Sequence, residues 1–177
     1  LRGVLDRKGV NTTALKSSEE SQTSASVVTV DETGERSFLH CVGANADFCI
    51  DDIDMSVIAD YDSVFVTGSF LLKTFDGKQT MEFLKKCQEM GKTTFLDVCW
   101  DASGRWGEVL DCCLPYIDVF MPSIDEAINL ADGETDPDKI ADIFFEKGVK
   151  SVVIKLGSKG CYLRENKDAL LEYIGGY

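Results

Sequence analysis

Residues 63–98 read SVFVTGSFLLKTFDGKQTMEFLKKCQEMGKTTFLDV. The stretch opens and closes on short, nearly all-apolar runs, Ser63 to Thr67 and Thr93 to Val98, of the kind that forms strands. Between them, from about Asp76, Met81, Phe83, Leu84, Cys87 and Met90 recur on one broad helical face until Gly91 stops the pattern. Strand, helix, strand in that order predicts a parallel sheet with its strands covered on both faces.

The rhythm continues outward from this unit. Asp118 to Met121 and Ser151 to Leu156 are further short apolar strands. Asp136-Pro137 supplies an N-cap followed by proline at the first helical position, and Ile140, Ala141, Phe144 and Phe145 form the buried stripe of a helix that ends at Gly148. Upstream the period changes. Ser26 to Val30 and Glu35 to Val42 are β-rich arms joined by Asp31-Glu32-Thr33-Gly34, a hairpin signature. In the second arm Arg36, Phe38 and His40 alternate with Ser37, Leu39 and Cys41, which predicts a ribbon with two distinct faces. The fold class expected is therefore α/β: a Rossmann-like parallel sheet with flanking helices plus a small β-hairpin lid. Residues 1–22 and 46–177 form the α/β domain, and residues 23–45 form the lid.

Bulk properties bound the function. At 177 residues and 44% hydrophobic content, the chain suits one globular domain with a sizeable core. Thirty-one acidic residues against 18 basic ones give a net charge of −13 with no basic stripe, which argues against nucleic acid as a partner. A phosphate-bearing ligand stays compatible, because amides and one or two local cations bind phosphate against an adverse global charge. Seven cysteines without Cys-x-x-Cys spacing read as small buried residues in a reducing, cytoplasmic compartment, with neither a disulfide framework nor a zinc site. No apolar run approaches the ~20 residues of a membrane helix, so no membrane is expected as a partner.

In sheets of this kind ligands bind beyond the carboxyl ends of the strands, which singles out four places. After Ile154 comes Lys155-Leu156-Gly157-Ser158-Lys159-Gly160, where amides and Lys155 suit phosphate oxygens; a plain turn between strands is the competing account. Pro122-Ser123-Ile124-Asp125-Glu126 opens a helix, so Glu126 is placed to orient hydrated Mg²⁺, or Ser123 and Glu126 are simply a capping box. Asp97 and Asp101 flank Trp100 at a strand end, where carboxylates accept bonds from sugar hydroxyls and an indole stacks on a ring; alternatively Asp101 begins the next helix and the tryptophans are core. Gly68-Ser69 directly follows the strand Ser63 to Thr67. His40, the single histidine, either faces a ligand under the lid or is structural, and no nucleophile pairs with it.

In this order the segments resemble the interior of ribokinase-like (PfkB-type) carbohydrate kinases along nearly all of the chain. Gly9-Val10-Asn11-Thr12, then Thr23-Ser24-Ala25 with Gly34-Glu35-Arg36, resemble the stretch entering that family's lid, and Gly43-Ala44-Asn45 the turn leaving it. Val66-Thr67-Gly68 resembles the strand end beside the sugar. Asp118 to Glu126 resembles "D-x-F-x-P-N-x-x-E-A", and Lys155 to Gly160 the "T/K-L-G-x-x-G" nucleotide loop. The resemblance implies ATP as donor, a sugar or sugar-like alcohol as acceptor, and Mg²⁺ between the phosphates. It assigns Lys155, Gly157, Ser158 and Gly160 to the nucleotide, Glu126 to the metal through water, and Ala25, Phe38, His40, Gly68, Asp97 and Asp101 to the acceptor. A lid closing over the sugar excludes competing water, and such lids often pair between subunits, which implies a homodimer through the hairpin.

Three departures qualify it. Ser123 stands where the family usually has asparagine. Cys99 and Asp101 replace the asparagine and arginine of "D-x-N-x-R", which removes a partner for a sugar-acid carboxylate. Neither the Gly-Gly signature nor "D-T-x-G-A-G-D", which carries an anion hole and the proton-accepting aspartate, is present. The expectation is thus a portion of an ATP-dependent sugar kinase, inactive as this truncated chain, with a noncatalytic α/β binding or oligomerisation module as the alternative. A Rossmann dinucleotide binder ranks last, since no Gly-x-Gly-x-x-Gly follows a first strand.

Overall fold

The computed structural model describes residues 1–176. Its centre is a six-stranded sheet whose spatial order follows the sequence: β3 (Ser63–Ser69), β4 (Thr93–Val98), β5 (Val119–Phe120), β6 (Ser151–Lys155), β7 (Gly160–Arg164) and β8 (Glu172–Gly175). β3 to β6 run parallel, while β7 and β8 turn back antiparallel. The parallel strands require crossovers. These are α3 (Lys78–Glu89) between β3 and β4, α4 (Trp106–Leu110) between β4 and β5, and the pair α5 (Ile124–Leu130) and α6 (Pro137–Glu146) between β5 and β6. Asp136 caps α6 by accepting from the Asp138 amide, with Pro137 in the first turn.

Pairing register sets Val66, Leu96, Phe120 and Val152 side by side on one face, and all four are buried. Phe83, Leu84 and Cys87 of α3, Ala127 and Leu130 of α5, and Ile140, Ala141 and Phe144 of α6 join that core. Phe144 meets Phe120 edge to face at 5.0 Å. The opposite row, Phe65, Phe95 and Val119, is only partly covered, and Phe65 is exposed. Coverage of both faces, expected from the apolar runs, is therefore not found among the described residues: the buried residues of all three longer helices join the core of one face, so period-2 burial replaces uniform burial.

Three strands or α-helices have no counterpart in the sequence reading: β8, a short N-terminal helix α1 (Arg2–Arg7) and the helix α2 (Met55–Ala59), neither helix with a buried residue. The Asp118–Met121 run contributes only two residues of strand. Of the seven cysteines, only Cys87 and Cys113 are buried, and Cys41 and Cys112 are exposed. The expectation of a general core role for them is corrected on that point.

The hairpin β1 (Ala25–Val30) and β2 (Arg36–Cys41) is antiparallel, with Val28 opposite Phe38 and Val27 opposite Leu39. All 12 of its residues are exposed. Each face thus presents a bare apolar pair, Val28 with Phe38 on one and Val27 with Leu39 on the other. Only its root is fastened: the Ala44 amide donates to Gln22 O at 2.8 Å, the Thr74 hydroxyl donates to Ala46 O at 2.6 Å, and Phe48 packs edge to face on Phe75 at 5.1 Å. Thr74 and Phe75 lie in the segment leaving the carboxyl end of β3. The ribbon consequently rises from the sheet end at which ligands bind in this architecture.

Candidate functional site

Three strand tips converge there. Asp97 lies near the end of β4, Lys155 ends β6, and between them the turn from β5 into α5 carries Ser123 and Glu126. The Lys155 amide donates to Pro122 O at 2.9 Å and Lys155 bridges to Ser123. Its backbone is thereby fixed on the middle tip. The side chain reaches across that tip, and the ammonium meets the Asp97 carboxylate at 2.5 Å. One residue assigned to the nucleotide and one assigned to the acceptor are thus ion-paired.

Glu126 is 9% exposed, at the start of α5. Its Oε2 accepts the Ser123 amide at 2.7 Å while the Ser123 hydroxyl accepts the Glu126 amide at 3.4 Å. The capping box is therefore real. It uses only one carboxylate oxygen, and no hydrogen bond among the described residues engages Oε1. The two accounts of Glu126 are compatible. No cluster of three or more His, Cys, Asp or Glu residues among those described suits a metal ion. Any Mg²⁺ would draw its ligands chiefly from phosphates and water, which is how that ion is usually held. Ser123→Ala is expected to cost about 1 kcal/mol in thermal unfolding through loss of the cap, and a variant of unchanged Tm would contradict that role.

The two glycines of the 155–160 loop are not equivalent. A Cβ on Gly157, at φ +60°, would meet open space, whereas one on Gly160 would strike the backbone of β8. The amides of Gly157 and Ser158 make no hydrogen bond within the described residues. Gly160 satisfies the turn reading, and Gly157 with Ser158 leaves donors free beside Lys155.

On the acceptor side, Gly68 at φ +85° also has open space where a Cβ would stand. Asp101 is turned inward at 6% exposure. One oxygen accepts from the Ser103 amide and hydroxyl and the other from the Trp106 amide at 2.7 Å. Burial works against its charge, but these donors win and hold the carboxyl below its ordinary range. Asp101 thereby fastens the turn that leads into α4, and Trp106 sits at the helix start under the exposed Trp100, ring centroids 5.0 Å apart. Ala25, Phe38 and His40 stand on the free ribbon, the imidazole Nδ1 2.8 Å from the Ser26 hydroxyl. They are not brought against the strand tips.

Three features escaped the sequence reading. Ser69, at the end of β3, is buried with a hydroxyl that has no partner. Phe70 follows at φ +76°. Asp76, read as a helix start, instead receives the Phe70 and Leu72 amides, and burial raises its carboxyl in spite of them. A Gly-Ser end to the strand with an aspartate shortly before a helix is the sequence trace of such a turn, but the same letters occur in ordinary caps.

Comparison with known proteins agrees with this geometry. The family model described as pfkB family carbohydrate kinase matches residues 1–174. An uncharacterized sugar kinase of Archaeoglobus fulgidus is 28% identical over 160 residues, covering 90% of this chain and 62% of the relative. A PfkB protein from Polaromonas superposes with TM-score 0.81 at 17% identity, over 99% of this chain and 61% of that one. The ribokinase of Arabidopsis thaliana, complexed with ribose and ATP, gives 0.71 at 21%, over 94% and 53%. The chain thus spans between half and two thirds of the length of these three proteins.

Proposed function

Because the chain belongs to the pfkB family of carbohydrate kinases, we propose that it carries the acceptor-side and nucleotide-side segments of an ATP-dependent kinase that moves the γ-phosphoryl group to a sugar hydroxyl. One observation supports this above the rest: the tips of β4, β5 and β6 bring Asp97, Glu126 and Lys155 together. Lys155 with the amides of Gly157 and Ser158 would hold phosphate oxygens, Glu126 would hold hydrated Mg²⁺ through Oε1, and Asp97 would accept from the acceptor hydroxyl. Magnesium would neutralise charge on the transferring group. The residues present bind and orient; in phosphoryl transfer positioning and charge stabilisation are most of the work.

Residues 23–45 serve as the lid, rooted beside the loop that leaves β3, with 1–22 and 46–177 as the body. The exposed Val27, Val28, Phe38 and Leu39 suit pairing of that ribbon across a cytoplasmic homodimer. Phosphoryl transfer also needs a proton acceptor, and no "D-T-x-G-A-G-D" stretch occurs in the 177 residues. The polypeptide is expected to bind Mg·ATP without turning over.

Titration calorimetry with the β,γ-imido analogue of ATP, with and without Mg²⁺, tests the reading. Binding should be Mg²⁺-dependent and weaken about tenfold in Lys155→Ala, as expected for loss of a hydrogen bond to a charged group. No heat at millimolar nucleotide would reject it.

A further inference from the structure

The ion pair between Lys155 and Asp97 joins strand tips that are not neighbours, since β5 lies between β4 and β6. Both side chains are partly open to solvent, at 38% and 23%. No other protein group engages the Lys155 ammonium or the second Asp97 oxygen among the described residues. Nearby, the Cys99 thiol is pushed up by burial first, then by the negative charges of Glu126 and Asp97, with Lys155 opposing. Asp97, Glu126, Cys99 and Lys155 therefore share one field. Asp76 adds a third carboxylate to it, against one ammonium, and that ammonium is already taken by Asp97.

An arriving polyphosphate meets this arrangement as a competitor of Asp97. We propose that Asp97 is a resident stand-in for the nucleotide phosphates: it holds Lys155 while the nucleotide is absent, and is released toward the acceptor hydroxyl when phosphate takes the ammonium. Two consequences follow. Nucleotide affinity is reduced by the fraction of Lys155 that Asp97 occupies. The released carboxylate then binds the acceptor better, so each ligand strengthens the other by the same factor. Asp97 is in this sense a positioning residue for the nucleotide half and a contact for the acceptor half. The inference rests on Lys155 lying along the phosphates, as proposed above.

The test is a double-mutant cycle read as the Kd of the Mg²⁺-loaded β,γ-imido ATP analogue. Asp97→Asn is expected to tighten binding on the order of threefold to fivefold, the upper part of the range open to a partly exposed ion pair. In a Lys155→Met background the same change should yield less than about twofold, because no cation is left to release. General relief of repulsion would instead yield equal gains in both backgrounds and overturn the proposal, as would an unchanged or weaker Kd in Asp97→Asn. Asp97→Ser serves the same cycle should the asparagine variant not fold. The unmodified chain offers an independent readout: the Lys155 ammonium NMR signal should shift on saturation with the analogue. An invariant signal despite binding overturns the exchange alone, whereas no binding by the unmodified chain removes the nucleotide reading with it.

Discussion

Gly160→Ala is expected to detach the outer edge of the sheet and to lower stability by on the order of 3–5 kcal/mol. At φ +104° an alanine is strained wherever it finds space. Here it finds none. Its Cβ would lie 1.9 Å from Ile174 O and 2.6 Å from the Gly176 nitrogen, both of them backbone atoms that no rotamer change can move. Relief requires β8 to withdraw, and that undoes the pairing of Cys161 with Ile174 and of Tyr162 with Tyr173. Gly157→Ala is the control. Its Cβ points into open space, so only the left-handed backbone is penalised, at about 1–2 kcal/mol. Urea denaturation with amide exchange of residues 160–175 measures both. A Gly160→Ala protein that keeps the parental midpoint and edge protection would show that β8 is not seated as described.

The contrast between these glycines explains how far the letters alone reach. Gly-x-x-Gly after a strand is legible as a turn and as a phosphate loop at once, because both need backbone freedom at the same spacing. Only the neighbour across the sheet, β8, decides which glycine does which task. Local signals behaved otherwise. Asp136-Pro137 and Ser123-x-x-Glu126 were readable because a cap is closed within four residues, and the βαβ rhythm was readable because period and length suffice. The Lys155–Asp97 contact spans 58 positions, and nothing local encodes it. Likewise the partly covered row of Phe65 and Phe95 looks like any buried strand until the helices are seen to share the other face.

Asp101 carries the same lesson at the site. Two carboxylates around a tryptophan suggested a pair of sugar-hydroxyl acceptors. Both oxygens of Asp101 are occupied by its own turn, which sets Trp106 beneath Trp100 and leaves Asp97 as the carboxylate with a free oxygen. Under the proposed kinase reading, the acceptor would then rely on Asp97 and the indole more than on a carboxylate pair.

Asp118→Ala should remove roughly 3 kcal/mol of stability at neutral pH, with the loss fading in acid. Asp118 stands at the opposite end of the sheet from the candidate site. Its Oδ2 accepts the Thr94 amide at 2.7 Å and the Thr94 hydroxyl at 3.0 Å, and Oδ1 accepts from Gln88 at 3.2 Å and from Lys150 at 2.6 Å. Burial opposes its ionisation, yet Lys150 and Thr94 together hold the carboxyl below its ordinary range. A carboxylate depressed in the folded state stabilises fully above its unfolded pKa near 4 and loses that contribution as pH falls through the folded value. The difference between parent and variant should therefore persist from pH 7 to about 5 and shrink below about 4. Lys150 is largely exposed, so Lys150→Met is expected to change stability by less than about 1 kcal/mol. Thr94 is fully buried and has no water to replace the lost acceptor for its amide, which is why the aspartate and not the lysine dominates. A parent-to-variant gap that stays constant down to pH 3 would mean that the carboxylate's charge is not what binds β4 to β5, and that the side chain acts there by shape alone.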